Sequence, residues 1–179
     1  MATFCKKCGT KLSSKQIDGK IRLGCADEEC GHIEWNNPLP VVGSIVEKDG
    51  NVLLARNKLW EKGIFSIITG FLEPEETPTE AIIREIREEL GLEVKDDPSL
   101  VGVYSSFRHN QIIIVYHSLC FGEVSLGHEI ESYKTVTKDE FKRWPFEHDL
   151  LIGRPTLAAI AANDWLSSFN FQKSDKATK

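Results

Sequence analysis

The sequence predicts an α/β fold that is preceded by a small metal-binding module. A strongly patterned helix at 78–90 lies between segments in which apolar and polar residues alternate as they do in β-strands. Two pairs of cysteines stand ahead of those segments, within the first 30 residues. The chain of 179 residues is long enough for one globular domain and a module of this kind.

The four cysteines near the N terminus have the number and spacing of zinc ligands. A C-x-x-C pair is followed, after 16 intervening residues, by a pair with a wider gap: Cys5, Cys8, Cys25 and Cys30. We predict a Cys₄ zinc ribbon over residues 1–36, with a structural metal because the protein supplies all four ligands. Two disulfides or a redox pair are alternatives that a cytosolic setting disfavours, and His32 is an alternative to Cys30.

The elements of the main domain follow a turn-rich linker at 35–40. An Asp49-Gly50 turn between two apolar runs indicates a β-hairpin. The patterning predicts strands at 41–47, 51–57, 100–104 and 111–121, a short helix or turn from Lys138 to Phe141, and a last helix from Pro155 to Ser168.

The central helix carries start and stop signals of its own. Thr77 is placed as the N-cap, Pro78 occupies the first helical position, and Glu80 completes a capping box. Gly91 follows the last periodic residue and predicts the helix end at Leu90. An apolar stripe marks the face that packs on the core: Ile82, Ile83, Ile86 and Leu90.

A second stripe of the same helix is acidic. Glu85, Glu88 and Glu89 are spaced three and four residues apart, so their carboxylates can converge on one side. Like charges so close repel one another, and Arg84 can compensate only part of that repulsion. A divalent cation compensates it better, and carboxylate oxygens suit Mg²⁺ or Mn²⁺. A solvated, charged surface helix is the alternative interpretation.

The spacing of these residues resembles the full signature of the Nudix hydrolases. Gly70 is followed by five residues and Glu76, then by seven residues and the run Arg84-Glu85-Ile86-x-Glu88-Glu89-x-Gly91-Leu92. The resemblance implies an α/β/α sandwich with a mixed sheet over residues 37–171, followed by a flexible tail at 172–179. It also implies a hydrolase that cleaves the diphosphate of a nucleoside diphosphate linked to another group, giving a nucleoside monophosphate and a phosphoryl product.

The same resemblance implies roles for individual residues. Glu85, Glu88 and Glu89 match metal ligands, with Glu76 and Gly70 supporting the metal site, and the general base stays open among the glutamates. Arg84 matches the residue that orients a catalytic glutamate. A further carboxylate is expected from the acidic loop at 127–132, where Glu131 is placed ahead of Glu129.

Substrate contacts and substrate identity are less constrained. Arg56 is a candidate for a phosphate contact, and Phe65, Trp60 and Phe107 are candidates for contact with a base, although surface or core roles are equally compatible. A zinc ribbon before a Nudix domain resembles the NADH pyrophosphatase group. The SQPWPFPxS motif of that group is missing at 104–109, so we expect a substrate of ADP-ribose, NADH or FAD type without choosing among them.

Charge and composition limit the partners. The net charge of −5 disfavours binding of nucleic acid by the whole surface, but residues 1–24 hold six basic residues against one acidic residue. That segment is either a solvated hairpin or a patch for a polyanion. The absence of a signal peptide and of an apolar stretch of ~20 residues predicts a cytoplasmic protein without membrane contact. Family analogy leaves a homodimer open.

Two other functions compete with the hydrolase of nucleotide-linked diphosphates. One is a nucleotide-sensing regulator whose ribbon contacts nucleic acid or protein, although a pure sensor would not need all the glutamates. The other is an enzyme that removes damaged nucleoside triphosphates and would release pyrophosphate.

Overall fold

The computed structural model describes residues 4–146 and 157–174, and the chain divides into two compact units, 1–38 and 39–179. The first unit is an antiparallel sheet of three strands, β1 (Leu12–Ile17), β2 (Lys20–Cys25) and β3 (Ile33–Glu34). Asp18 and Gly19 both have positive φ angles, 50° and 75°, as a tight hairpin turn between β1 and β2 requires. Its buried cluster consists only of Cys5, Leu12 and Cys25, with Leu23 and Cys30 beside them.

The second unit is built on a mixed sheet of seven strands: β4 (Leu39–Lys48), β5 (Asn51–Asn57), β6 (Ile68–Phe71), β7 (Glu93–Val94), β8 (Ser99–Ser106), β9 (Gln111–Phe121) and β10 (Ile130–Val136). The long strand β4 runs parallel to β9 along one edge. Two strands share the other edge of β4: β6 pairs with residues 41–44 of β4, and β5 pairs with residues 46–48. The remaining pairs are antiparallel, which makes the sheet mixed.

The described residues of this unit form the helices α1 (Pro78–Leu90), α2 (Lys138–Lys142) and α3 (Leu157–Ser174). The predicted bounds of α1 are confirmed. The Thr77 hydroxyl accepts from the Glu80 backbone N–H while the Glu80 carboxylate accepts from the Thr77 backbone N–H, and Gly91 closes the helix at φ 66°. These local bonds satisfy groups that a helix end leaves without partners.

The sheet has a separate apolar core on each face, as strand alternation requires. The first core packs α1 against the sheet through Val42, Val46, Leu53, Ala55, Ile68, Ala81, Ile82, Ile86 and Leu90. The second packs α2 and α3 on the opposite face through Ile45, Val52, Leu54, Val115, Phe141, Ala161 and Trp165. The predicted α/β/α sandwich with a mixed sheet is thereby confirmed.

Some boundaries differ from the predicted ones. The patterning did not reveal β6 or β7, which have four and two residues. The last helix runs to Ser174, so the first residues of the predicted tail are helical; its predicted start at Pro155 and residues 175–179 lie outside the described residues. Within the part of the chain described here, no helix has the length and hydropathy that crossing a membrane would require.

Candidate active site

Five glutamates line one cleft of ≈ 400 Å³ beside strands β4, β6 and β9: Glu73, from the loop between β6 and α1, and four others. Glu85, Glu88 and Glu89 come from α1, and Glu129 comes from the loop that leads into β10. The strands supply most of the remaining wall: Val41, Thr69, Gly70, Phe71, Gln111 and Ile113. The three glutamates expected to converge therefore face a common space, opposite an apolar section of the sheet.

Gly70 allows α1 to bring its carboxylate close to the sheet. A Cβ built at Gly70 would overlap the carboxylate of Glu85. Gly70 lies in β6 opposite Val42 of β4, so the backbone at this point is fixed on its other side by the sheet. Any side chain at position 70 would have to displace Glu85. This close approach explains the glycine, and no unusual φ angle is needed to account for it.

Arg84 organises the acidic residues around it. Its guanidinium donates to both carboxylate oxygens of Glu76, at 3.1 and 2.8 Å, and to the backbone oxygen of Phe71 at 3.1 Å. The Nη1 atom also donates to Glu85 at 2.7 Å and to Glu88 at 3.2 Å. One planar cation thus fixes a loop carboxylate, a strand carbonyl and two carboxylates of the cleft.

A loop docked on the C-terminal end of α1 brings Glu129 to the cleft. The backbone N–H groups of Ser125 and Gly127 donate to the carbonyls of Leu90 and Glu89 at 2.8 and 3.0 Å, satisfying acceptors that the helix leaves free. A Cβ at Gly127 would overlap the carbonyl of Glu88, so glycine permits this approach. The docked loop sets Glu129 at the cleft.

The cleft carries negative charge that its own residues do not neutralise. Burial, together with the smaller effects of the charges on Glu85, Glu129 and Glu88, raises the pKa of Glu89 to about 8. Burial also raises the pKa of Glu85, against the opposing effect of Arg84. The hydrogen bonds from Arg84 instead lower the pKa of Glu76. Arg84 stabilises the charged forms of Glu85 and Glu76, but no cation does so for Glu89 among the described residues.

This donor set fits a hard divalent cation. Carboxylate oxygens are the ligands of Mg²⁺ and Mn²⁺, and Mg²⁺ usually keeps several waters rather than an all-protein cage. Glu85, Glu88, Glu89 and Glu129 border an open cleft of ≈ 400 Å³, which has room for such waters and for a substrate. The space beside Gly70, called the Gly70 gap below, holds the carboxylate of Glu85. The acidic site thus explains why a glycine stands at this position.

The structure places other predicted site residues away from the cleft. Glu131 lies at an irregularity in β10, between Ile130 and Ser132, and forms an ion pair of 2.7 Å with Arg56. Arg56 is 7% exposed and also donates to the backbone oxygen of Trp60, so its guanidinium is committed to internal partners. The structure therefore favours Glu129 over Glu131 as the additional carboxylate, and it does not support a phosphate contact by Arg56.

The two phenylalanines proposed for substrate contact also do not line the cleft. Phe65 packs edge-on against Trp144, with ring centroids 6.4 Å apart, beside the core under α3. Phe107 lies in the turn between β8 and β9 and is 84% exposed. Trp60 does border a small cavity of ≈ 80 Å³, together with Glu89 and Glu129.

Sequence reasoning missed the strand residues of the cleft. Val41, Thr69, Gln111 and Ile113 are ordinary residues of β-strands, and nothing in their own spacing marks them as functional. They meet because β4 pairs with both β6 and β9. Their role depends on strand register, which the sequence pattern alone does not reveal.

Four cysteines of the first unit form a separate group with the geometry of a metal site. The Sγ atoms of Cys5, Cys8, Cys25 and Cys30 all lie within 4.8 Å of one another, and all four are free thiols. The Cys5–Cys30 and Cys8–Cys25 sulfur distances are 3.8 and 3.4 Å. A zinc tetrahedron with Zn–S bonds of about 2.3 Å has sulfur atoms about 3.8 Å apart, so the group fits zinc. His32 is not part of this group and lies 3.6 Å from Glu34.

The sequence and the fold match those of known proteins. A family model for the NUDIX domain matches residues 37–153. An ADP-ribose pyrophosphatase of Methanocaldococcus jannaschii is 35% identical over 155 residues, which is 83% of this chain and 85% of that protein. An NAD-capped RNA hydrolase, NudC, of Pseudomonas aeruginosa is 27% identical over 82% of this chain, but the match spans only 52% of that protein.

A solved structure agrees with the fold. The crystal structure of a NUDIX hydrolase from Nitrosomonas europaea superposes with a TM-score of 0.71 at 22% identity, covering 92% of this chain and 88% of that one. The signature at Gly70–Leu92 lies inside the matched range, and the helix within it supplies three of the five glutamates that line the cleft. The chain therefore belongs to the Nudix family of hydrolases.

Proposed function

We propose that this protein is a Mg²⁺- or Mn²⁺-dependent pyrophosphohydrolase that acts on a nucleoside diphosphate linked to another group. The products are a nucleoside monophosphate and the phosphorylated second group. The observation that carries the proposal is the shared cleft of Glu85, Glu88, Glu89 and Glu129, whose negative charge repels a diphosphate unless a cation intervenes.

The residues of the chain have separable tasks in this reaction. Glu85, Glu88, Glu89 and Glu129 would hold the metal, which when bound neutralises diphosphate oxygens and lowers the pKa of a water. Arg84 acts as a positioning residue, because it fixes the carboxylates of Glu85 and Glu88 while it ties the loop through Glu76. Holding the reacting groups in place and stabilising charge carry most of phosphoryl-transfer catalysis.

ADP-ribose is the substrate that we favour. The Methanocaldococcus relative named for this activity is similar over most of both chains. The apolar side of the cleft, with Val41, Phe71 and Ile113, can cover one non-phosphate part of such a molecule while the diphosphate lies against the acidic side.

NAD-linked substrates are the second candidate within the same reaction class. NudC relatives are similar over 82% of this chain, but they are about twice as long as the matched part. The segment where the NADH pyrophosphatase group carries its motif, 104–109, has another use here: the Tyr104 hydroxyl donates to Asp164 of α3 at 2.8 Å. The absence of that motif favours ADP-ribose over NADH.

A substrate panel tests the proposal. Purified protein is incubated with ADP-ribose, NADH or FAD and Mg²⁺, and the release of AMP is measured. We expect turnover of ADP-ribose and a loss of at least about 100-fold for Glu89→Gln. Asp96→Asn removes an exposed carboxylate outside the cleft and serves as the matched control.

The panel also separates the competing functions. Tight nucleotide binding without hydrolysis of any compound would favour a nucleotide-sensing regulator. Release of pyrophosphate from nucleoside triphosphates, with none of the three panel compounds cleaved, would favour an enzyme for damaged triphosphates. Equal turnover by Glu89→Gln and the unchanged protein would remove the acidic cleft as the catalytic site.

A further inference from the structure

The small sheet of the first unit has two chemically different faces. Strand alternation directs Leu12, Leu23 and Cys25 to the face that packs on the cysteine cluster. The alternate residues of β1 and β2 point to the opposite, outer face of the sheet. Lys15 and Arg22 are direct cross-strand partners on that outer face, and Lys20 pairs with Ile17 near the hairpin end. The outer face therefore collects three of the basic residues noted in the sequence.

The positions of Lys15 and Arg22 are fixed by contacts within the unit. A Cβ at Gly24 would come within 2.8 Å of Cδ of Lys15, so the stem of this lysine lies directly across the glycine. The guanidinium of Arg22 lies 4.8 Å from the centroid of the Trp35 ring and donates to the Trp35 backbone oxygen at 3.1 Å. Trp35 keeps 43% of its surface exposed. A lysine, an arginine and an aromatic ring thus share one ordered surface.

No carboxylate of the described residues neutralises this outer face. Glu34 pairs with Lys6 and lies near His32, at 3.4 and 3.6 Å, on the side of the cysteine cluster. Asp18 stands in the hairpin turn beyond the ends of β1 and β2. The Nε atom of Arg22 is buried and has no hydrogen-bond partner among those residues. The face is a positive surface that lacks an anionic partner within its own unit.

We propose that this face, made of Lys15, Lys20, Arg22 and Trp35, binds single-stranded nucleic acid. Basic side chains that follow a strand backbone, combined with an exposed ring on which a base can stack, are the two elements of such binding. An acidic protein segment would pair with the basic side chains but would have no base to stack on the Trp35 ring. A duplex presents phosphates but hides its bases, whereas the flat face of a sheet accepts splayed, unpaired bases.

The proposal concerns a surface in a different unit from the acidic cleft and does not depend on hydrolysis. It uses the basic excess of residues 1–24 within a chain whose net charge is −5. Localised positive charge on an acidic protein directs a polyanion to one place, because the remaining surface repels it. The hydrolase and the nucleic-acid face can therefore fail or succeed separately.

Fluorescence anisotropy with a labelled oligouridine of about 12 nucleotides tests the face on the zinc-loaded, full-length protein without substrate. Lys15→Gln/Lys20→Gln should weaken binding and reduce the slope of log K against log[salt] by about 1.4, the value for two lost phosphate contacts. The matched control is Lys142→Gln/Arg143→Gln, which removes the same charge from α2 and the residue after it. Zinc content and thermal denaturation verify that each variant is folded.

The ring is tested separately. Trp35→Ala should weaken binding about 5- to 150-fold through lost stacking, and Trp35→Phe should restore most of the affinity. Failure of the unchanged protein to bind oligouridine would overturn the proposal, as would equal weakening by the control pair. Salt-dependent binding of a poly-glutamate peptide with equal affinity, unaffected by Trp35→Ala, would assign the face to an acidic protein instead.

Discussion

The carboxylate of Glu85 occupies the space that a side chain on Gly70 would need. The two residues are 15 positions apart in sequence and belong to different elements, α1 and β6. Their contact sets how closely the helix packs on the sheet and where its carboxylates lie. A glycine in a strand usually costs stability, so its presence at this position indicates close approach by another group.

Gly70→Ala should leave the fold intact and impair catalysis. The added methyl group overlaps the Glu85 carboxylate, so the carboxylate must move away from its present position. A displacement of about 1 Å in a catalytic group can cost about 100-fold in rate, and we expect a loss of kcat of that size. Gly43→Ala is the control, because a Cβ there meets its neighbours at 3.5 Å, an ordinary contact. Similar kcat values for the two variants would contradict the role of the Gly70 gap.

Arg84→Lys should lower activity although it keeps the positive charge. A lysine cannot reproduce the fork that binds Glu76, Glu85 and the Phe71 carbonyl together. Loss of a residue that positions metal ligands typically costs about 10- to 100-fold in metal affinity or activity. A titration of activity against Mg²⁺ should show a higher requirement. Arg87→Lys, whose exposed guanidinium pairs with Glu93, should change neither value.

The helix of the site could be predicted because its signals are local. Thr77, Pro78, Glu80 and Gly91 determine where α1 starts and ends, and each acts within four residues of its own position. The spacing of the glutamates then determines which side of the helix is acidic. Nothing outside the segment is needed for these conclusions, so they agree with the structure.

The remainder of the cleft depends on contacts between distant parts of the chain. The extra residue in β10 turns Glu131 to Arg56, and only the docking of the 122–129 loop on α1 sets Glu129 at the cleft. Two glutamates two residues apart in one loop cannot be distinguished by sequence pattern. Strand β6 was missed for a related reason, since its four residues take their conformation from pairing with β4.

Glu129→Gln and Glu131→Gln should therefore have different effects. Glu129→Gln removes a cleft carboxylate and should raise the Mg²⁺ concentration needed for half-maximal activity, without loss of stability, because it also removes a repulsion with Glu89. Glu131→Gln leaves the buried Arg56 without its charged partner and should cost about 1–3 kcal/mol of stability. Denaturant unfolding and activity titrations measure the two effects. If Glu131→Gln instead raised the Mg²⁺ requirement and Glu129→Gln lowered the stability, Glu131 would again be the candidate catalytic carboxylate.

Cys25→Ser should release zinc and unfold the first unit. Among the described residues of that unit, the buried apolar cluster is Cys5, Leu12 and Cys25, which is too little apolar surface for folding without a metal. Zinc analysis should show a loss of bound metal, and amide exchange should become fast across β1 and β2. Amides of α1 should remain protected, because its core is made within the second unit. Cys120→Ser, at the fifth free cysteine, should retain zinc. Retention of zinc by Cys25→Ser would contradict the ligand assignment.

His117 should make stability decrease in mild acid. Its Nε2 lies 2.9 Å from the carboxylate of Glu47, whose other oxygen lies 2.8 Å from Lys138, and its ring packs on Trp165 at 4.7 Å. Burial lowers the pKa of His117 below its ordinary 6.5, and this exceeds the opposing effect of Glu47. The unfolded chain therefore binds a proton at a pH where the folded protein does not. Its contribution is complete above that ordinary value and is lost as the pH falls from there through the lower pKa of the folded protein.

The measurement is the midpoint of thermal denaturation between about pH 7.5 and pH 5. In His117→Gln the midpoint should fall less steeply with acid than in the unchanged protein, because glutamine can keep a hydrogen bond to Glu47 without taking up a proton. His128→Gln removes a histidine whose side chain is 92% exposed and controls for the loss of a histidine as such. Parallel curves for the unchanged protein and His117→Gln would show that this buried ring does not couple folding to pH.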